Sequence, residues 1–437
     1  MQTSNTSADV LLQQAASLLV YQSVLASEVG QVFLALLAAI AHVGQDFTAD
    51  KLDCLHAYGR WFSLLADRDQ SWQDCLITSI LQDDNPFTRQ AQLTELEDIP
   101  TALVAAARHD LRVLQQLARC NSPQLSAWVM AATQHPTAPV VWKPNPVEIA
   151  PAPIWSVFWS SQDWAAELKP LVAHYHKHGV GLFAEFRALR WQAGQCVGIA
   201  HPDRVQIADL MGYEAQRDAL LKNTEFLLNG YPALHVLLYG SRGSGKSSLV
   251  KALLNPYGDR GLRLIEVAKS DLRDLPAIAD RLRPLPQKFI LFVDDLSFEE
   301  DEDTYKALKV VLEGSLTARP QNVVVYATSN RRHLIREFFG DRPRPQDSDE
   351  VHAWDTVQEK LSFSDRFGLT LTFEPPDQPT YLQIIHHLAH QVGISLSNEE
   401  LEHRALQWAT RHNGRSGRTA RQFIDFLQAD LALYEQS

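Results

Sequence analysis

A chain of 437 residues is longer than one ordinary core and predicts two or three domains. With 45% hydrophobic and 21% charged residues, its composition is that of a globular protein and excludes a disordered chain. A net charge of −12 argues against non-specific binding of nucleic acid by the surface as a whole, while leaving room for a local basic patch.

The four cysteines, Cys54, Cys75, Cys120 and Cys196, are far apart and form no C-x-x-C pair. That spacing argues against a zinc site or a disulfide framework and fits a reducing compartment, so a cytoplasmic location is expected. The first basic residue is Lys51, so the start of the chain lacks the basic region of a signal peptide. The most apolar stretch, Val32–Val43, is shorter than the roughly 20 residues of a membrane helix and reads as a buried helix.

Residues 1–133 read as an all-helical domain. Leu, Ala, Gln and Glu dominate, and apolar residues recur at steps of three and four. Leu52, Leu55, Phe62 and Leu65 would line one face of a helix with Thr48 as its N-cap. Residues 134–199 then form a connecting segment. Pro136, Pro139, Pro144, Pro146, Pro151 and Pro153 favour an extended linker. Trp155, Phe158, Trp159 and Trp164 follow. Without interleaved Lys and Arg, core packing explains them better than stacking on nucleic acid. His174, His176 and His178 do not share one helix face, and no acid or thiol completes a metal set around them, so they read as solvated.

From residue 200 the pattern changes. Five short apolar runs, His235–Tyr239, Leu262–Val267, Phe289–Val293, Val323–Ala327 and Leu369–Phe373, alternate with helical or loop segments. Continuous apolar runs are the mark of parallel strands buried on both faces. They predict a three-layer α/β core with a five-stranded parallel sheet over residues 200–376, and a helical lid over 377–437 after Pro375-Pro376. No internal repeat is visible.

Gly240-Ser241-Arg242-Gly243-Ser244-Gly245-Lys246-Ser247 fits the pattern G-x-x-x-x-G-K-[ST] in full, between a predicted strand and a predicted helix. Glycines let backbone N–H groups wrap phosphates, and the helix start adds positive charge. Lys246 is expected on the β- and γ-phosphates, Ser247 on Mg²⁺, and Ser248 beside the phosphates. In Phe289-Ile290-Leu291-Phe292-Val293-Asp294-Asp295 a hydrophobic strand ends in acids. Asp294 would hold Mg²⁺ and Asp295 would polarise the attacking water. Glu299 and Glu300 are alternative bases. Val323–Asn330 is another buried strand ending in small polar residues, so Thr328 or Asn330 could orient the lytic water. Two arginine segments, Ser364-Asp365-Arg366-Phe367-Gly368 and Gly414–Arg421, suit phosphate clamps or surface salt bridges.

These elements together resemble the AAA+ superfamily of ATPases, and more closely a bacterial branch called domain of unknown function 815. The resemblance rests on Phe186–Trp191, Asp209–Arg217, Asp294–Glu299, Thr328–Leu334 and Ser364–Gly368, and covers roughly residues 185–437. Asn85-Pro86-Phe87 extends it less specifically. It implies an ATP-binding, Mg²⁺-dependent ATPase working as a homo-oligomeric ring, often a hexamer. By that likeness Asn330 is sensor 1, Arg366 an arginine finger reaching a neighbour's γ-phosphate, and Arg418 sensor 2, with Arg421 as its substitute. Ile207, Leu210 and Tyr213 would line the adenine pocket. Asp295 departs from the Glu of most such ATPases, although the branch shares Asp-Asp. The shorter side chain implies slower water activation or help from a neighbouring acid, and leaves the rate of hydrolysis open.

The basic stretch Arg331, Arg332, Arg336, Arg342 and Arg344 reads as a subunit interface in preference to a nucleic-acid contact. The leading function is ATP hydrolysis coupled to remodelling or loading of an unidentified protein or nucleic-acid client. The alternative is a slowly hydrolysing switch that assembles and recruits a partner. A small-molecule kinase is disfavoured by the two arginine segments. No pore loop, helix-turn-helix or zinc motif identifies the client, and no membrane partner is expected.

Overall fold

The computed structural model describes residues 7–43, 48–145, 153–203, 205–296, 302–313, 319–330, 366–412 and 414–434. The basic stretch Arg331–Arg344, the alternative bases Glu299 and Glu300, and Ser364-Asp365 lie outside the described residues. The chain divides into two compact units, Met1–Glu185 and Phe186–Ser437.

The first unit is helical. Local chemistry marks its helix starts. Ser71 and Asp74 form a reciprocal capping box ahead of Trp72–Gln82, and Asn85 with Thr88 does the same ahead of Pro86–Ala91. The helix Thr48–Arg68 buries Cys54, Ala57, Tyr58, Trp61 and Leu65. This face is turned from the expected one: Leu52 is exposed, and Leu55 and Phe62 are half-buried. The reason is an aromatic cluster that claims the inner face, with Trp61 5.4 Å from Phe33 and 5.2 Å from Trp72, and Phe33 stacked on Trp72 at 4.2 Å.

Part of the proline-rich run lies along this unit. Tyr58 Oη donates to the Val140 carbonyl at 2.8 Å, Ser126 Oγ donates to that of Pro139 at 2.6 Å, and Phe62 meets Trp142 edge-on. Phe158 and Trp164 are buried in the same helical core, while Trp159 keeps nearly half its surface exposed. Buried Asp110 fastens the start of the chain by accepting the backbone N–H groups of Leu19, Val20 and Tyr21 at 2.8–3.0 Å. Among the histidines, His176 Nε2 meets the Thr94 carbonyl, and His174 lies against His178.

The second unit holds a sheet of seven strands: β1 (Ala188–Gln192), β2 (Gln195–Gly198), β3 (Val236–Gly240), β4 (Leu262–Glu266), β5 (Lys288–Val293), β6 (Val323–Ser329) and β7 (Leu369–Phe373). Their order is β2-β1-β4-β5-β6-β3-β7. The five expected strands are present and mutually parallel. The expected count of five is corrected to seven: β1 adds to β4 in parallel, and β2 turns back on β1 in the one antiparallel pair among the described strands. This hairpin escaped the pattern search because β1 alternates buried and exposed positions instead of forming an apolar run. Its two-residue turn, Ala193-Gly194, has φ of +49° and +80°, the left-handed pair that such tight hairpins use.

Strands β5 and β6 are buried almost throughout. Strand β3 sits between β6 and β7, so the connection from β3 to β4 crosses two strands and opens a crevice beyond the strands' C-terminal ends. After β7 the helices Gln378–Gln391, Asn398–Arg411 and Gly417–Tyr434 pack a separate small core around Tyr381, Ile385, Ala405 and Ile424. This α/β sheet domain with a helical lid is the architecture that the AAA+ resemblance implies. Among the described residues, no helix is long and apolar enough to cross a membrane.

His235, just ahead of β3, is buried, and its Nδ1 accepts the Val325 N–H at 2.9 Å, tying β3 to β6. Burial, reinforced by the nearby Arg319, pushes its pKa from 6.5 down to about 3. Above the unfolded value the imidazole is neutral in both states. Below it the unfolded chain takes up a proton that the folded unit refuses, so stability falls by about 1.4 kcal/mol per pH unit until the folded pKa is reached. In His235→Asn, whose side-chain oxygen can still accept from Val325, the acid-side decline of this unit is expected to be shallower by about one proton. Hydrogen exchange at β6 amides between pH 7 and 5 reads this directly, and an unchanged slope rejects the assignment.

Candidate functional site

A cleft of about 710 Å³ opens at the C-terminal ends of β3, β5, β6 and β7 and extends to the lid. Its floor is the loop after β3. Gly240 ends the strand at φ +138°, where an added Cβ would lie 1.9 Å from the Phe373 carbonyl oxygen, so only glycine lets the chain leave the strand beside β7. The Ser241 N–H donates to that same oxygen at 2.9 Å. The loop then closes on itself. Lys246, only 6% exposed, donates from Nζ to the carbonyls of Gly240 at 3.0 Å and Ser241 at 2.7 Å, and Ser244 Oγ also donates to Ser241. Burial pulls the Lys246 ammonium below its ordinary pKa. Asp294 and Asp295 oppose the shift and Arg418 adds to it.

The turn after β5 supplies the acids. Asp294 Oδ1 accepts from Ser247 Oγ at 2.6 Å and from Thr328 Oγ1 at 2.5 Å. This hydroxyl and carboxylate are hard oxygen donors held side by side, a set that fits Mg²⁺. Asp295 has φ +53°, a left-handed conformation unusual for a residue with a Cβ. Its carboxylate accepts from Asn330 Nδ2 at Oδ1, at 2.7 Å, and Lys269 Nζ stands 3.7 Å from Oδ2, an ion pair between two half-exposed side chains.

The lid closes over the loop. The Arg418 N–H donates to the Gly243 carbonyl at 3.1 Å. Gly243 has φ +74°, and a Cβ there would lie 2.9 Å from Ser416 Oγ, so the approach leaves no room for a side chain. At the other end of the cleft, Asp209 accepts from Gln391 of the lid at 2.6 Å, and Tyr213 Oη donates to the Glu374 carbonyl while its ring lies 5.0 Å from Phe373.

Most of the residues singled out in the sequence meet here. Arg242, Gly243, Ser244, Gly245, Lys246, Ser247, Ser248, Leu210, Tyr213, Asp294, Asp295, Asn330 and Arg418 all line the cleft. Gly240 and Ser241 lie beneath the loop as acceptors for Lys246. Ile207 is not among the lining residues, and neither is Arg366, whose Nε donates to Glu313 at 2.9 Å in the same chain. Sequence reasoning missed Lys269, and also the apolar wall formed by Met211, Ile384 and Leu388. The two lid residues carry only the ordinary periodicity of a packed helix, which does not distinguish a core face from a ligand-facing one.

No curated protein matches the chain. Among solved structures, the RuvB Holliday junction branch migration motor of Thermotoga maritima is 16% identical with a TM-score of 0.37, covering 53% of this chain and 66% of that one. The FIGL-1 AAA domain in complex with ADP is 18% identical with a TM-score of 0.36, covering 54% and 76%. The family described as Protein of unknown function (DUF815) matches residues 184–431, more than half of the sequence, and the chain belongs to that family.

Proposed function

We propose that this protein binds ATP with Mg²⁺ in the cleft and hydrolyses it to ADP and phosphate as an oligomeric AAA+ type ATPase, driving the remodelling or loading of a macromolecular client. One observation carries the reading. A phosphate-wrapping loop, a hydroxyl–carboxylate pair, a second carboxylate held by an asparagine, and an arginine from the lid all face a single cleft.

In this reading Lys246 exchanges the carbonyls of Gly240 and Ser241 for phosphate oxygens. Backbone N–H groups of Gly243 to Ser248 cradle the phosphates. Ser247 and Asp294 hold Mg²⁺, which when bound neutralises phosphate charge. Asp295 takes a proton from the attacking water, Asn330 orients that water, and Arg418 meets the γ-phosphate from the lid. Leu210 and Tyr213, with Met211, Ile384 and Leu388, enclose the base. Arg366 serves the neighbouring subunit's site, which accounts for its place outside the cleft of its own chain. A cytoplasmic ring of identical subunits, of hexameric type, follows from the same reading.

A second reading is a slow switch that assembles with ATP and recruits a partner. The placing of Asp295 favours it, because its side chain is one methylene shorter than glutamate and its Oδ1 is already taken up by Asn330, which leaves the carboxylate less reach toward a water.

Molar mass in solution, measured without nucleotide, with ADP–Mg²⁺ and with ATP–Mg²⁺, tests the ring alongside phosphate release. ATP is expected to promote assembly. Lys246→Ala is expected to lose nucleotide binding, and Arg366→Ala to retain it while phosphate release drops by about a thousandfold or more. Glu313→Gln, which removes the intrachain partner of Arg366, should leave release near the parent rate. A monomer under every condition, with release indifferent to Arg366, rejects the ring.

Asp295→Glu separates the two readings of rate. If reach limits the chemistry, the added methylene raises phosphate release by about tenfold or more, with nucleotide affinity unchanged. A rate unchanged or lower shows that reach is not the limit.

A further inference from the structure

Spacing alone points Thr328 at the lytic water, but the structure commits its hydroxyl elsewhere. Thr328 is 2% exposed near the end of β6. Its Oγ1 donates to Asp294 Oδ1 and accepts the backbone N–H of Asp295 at 2.9 Å. A threonine hydroxyl has one proton, so its donor is fully engaged by Asp294. The Thr328 carbonyl accepts the N–H of Leu296 at 2.6 Å. One residue therefore fastens three consecutive positions of the turn after β5.

That turn needs fastening. Asp295 sits at φ +53°, a conformation that aspartate tolerates better than most residues with a Cβ but that its surroundings still have to hold. The bonds from Asp295 N–H and Leu296 N–H to Thr328 flank the strained residue. Held this way, the Asp295 carboxylate reaches Asn330 and Lys269, and Asp294 Oδ1 is aimed at Ser247.

We propose that Thr328 is a positioning residue of the site: its hydroxyl sets the carboxylate of Asp294 against Ser247 and holds the left-handed turn that presents Asp295. The catalytic half of this inference rests on the ATPase reading above, and the structural half does not. Asn330 then acts on the water side of Asp295, while Thr328, which also lines the cleft, has its hydroxyl engaged by the two acids and acts through them.

Two substitutions isolate the hydroxyl. Thr328→Ser keeps it, and Thr328→Val keeps the branched shape without it. Binding of a fluorescent ATP analogue is measured in EDTA and in Mg²⁺, together with phosphate release. Crystal structures of both variants are determined without nucleotide. In Thr328→Val, binding in EDTA should stay within about twofold of the parent, the gain in affinity from Mg²⁺ should shrink by about tenfold, and kcat should fall by about a hundredfold. Thr328→Ser should recover both to within about threefold. Asp295 should leave the left-handed region in Thr328→Val and keep it in Thr328→Ser.

The inference is overturned if Thr328→Val keeps the parental Mg²⁺ response and kcat. It is also overturned if Thr328→Ser is as impaired as Thr328→Val, or if Asp295 stays left-handed without the hydroxyl. Should Thr328→Val fail to fold, Thr328→Ala replaces it with the same readings. A parent protein that binds no nucleotide rejects the ATPase reading instead, and the crystal structures still decide what holds the turn.

Discussion

The cleft depends first on the pairing of β6 with its two neighbours. On one side Val236, Leu237, Leu238 and Tyr239 of β3 pair with Tyr326, Ala327, Thr328 and Ser329. On the other, Phe292 and Val293 of β5 pair with Tyr326 and Ala327. This register puts Gly240 and the phosphate-type loop beside Asn330, and Asp294 beside Thr328. A slip by one residue would turn every side chain of β6 to the opposite face. Burial on both faces forbids it, and so do two side-chain ties: Val325 N–H to His235, and Tyr326 Oη to Asn223 and Thr224 at 3.0 Å. The chemistry at the strand ends is thus fixed by hydrophobic and polar contacts one to three residues back along the strands.

The lid is joined to this frame through backbone. Gly243 and Gly417 approach so closely that a Cβ on Gly417 would lie 3.0 Å from the Gly243 carbonyl oxygen, while Arg418 N–H bonds that oxygen. Contact at this distance makes the position of Arg418 depend on the conformation of the loop. Asp209 with Gln391, and Gly212 against Thr380, join the segment ahead of β3 to the first lid helix. The lid is therefore attached at both ends of the cleft, to the loop at one and to the segment ahead of β3 at the other, and a ligand that rearranges the loop carbonyls also acts on the lid.

Much of this was legible in the sequence, for identifiable reasons. The inner strands β3, β4, β5 and β6 are short, mostly apolar runs, a pattern that burial on both faces imposes, while β7 at the sheet edge alternates Leu and Thr; the loop with its two acids is fixed by the demands of phosphate and cation chemistry. What stayed hidden depends on three-dimensional competition. Leu52 resembles a core residue by spacing but loses the inner face to Trp61 and Tyr58. The hairpin Ala188–Gly198 has the mixed polarity of an edge and turns on Ala-Gly, which lacks the stronger Asn-Gly signal. Ile207 stands three residues from Leu210, yet of the two only Leu210 lines the cleft, and it does so from the extended residue that ends the short 3₁₀ turn. The hydroxyl of Thr328 could be placed at the site by spacing, but its partners could not.

Lys269 shows why nucleotide binding and the proposed hydrolysis would be separable in this architecture. Everything that would hold phosphate lies on the loop and its helix, whereas Asp295 answers to residues from two other segments: Thr328 and Asn330 at the end of β6, the first through the Asp295 backbone and the second through its carboxylate, and Lys269 after β4, also through the carboxylate. The ammonium of Lys269 extends from a turn after β4, on a long and half-exposed side chain. A change at that turn can alter the reach and charge environment of Asp295 while leaving the phosphate loop as it is. The acid that sets the proposed rate is therefore the part of the site most open to control from outside the loop, and the short aspartate side chain, unable to reach past its partners, strengthens that dependence.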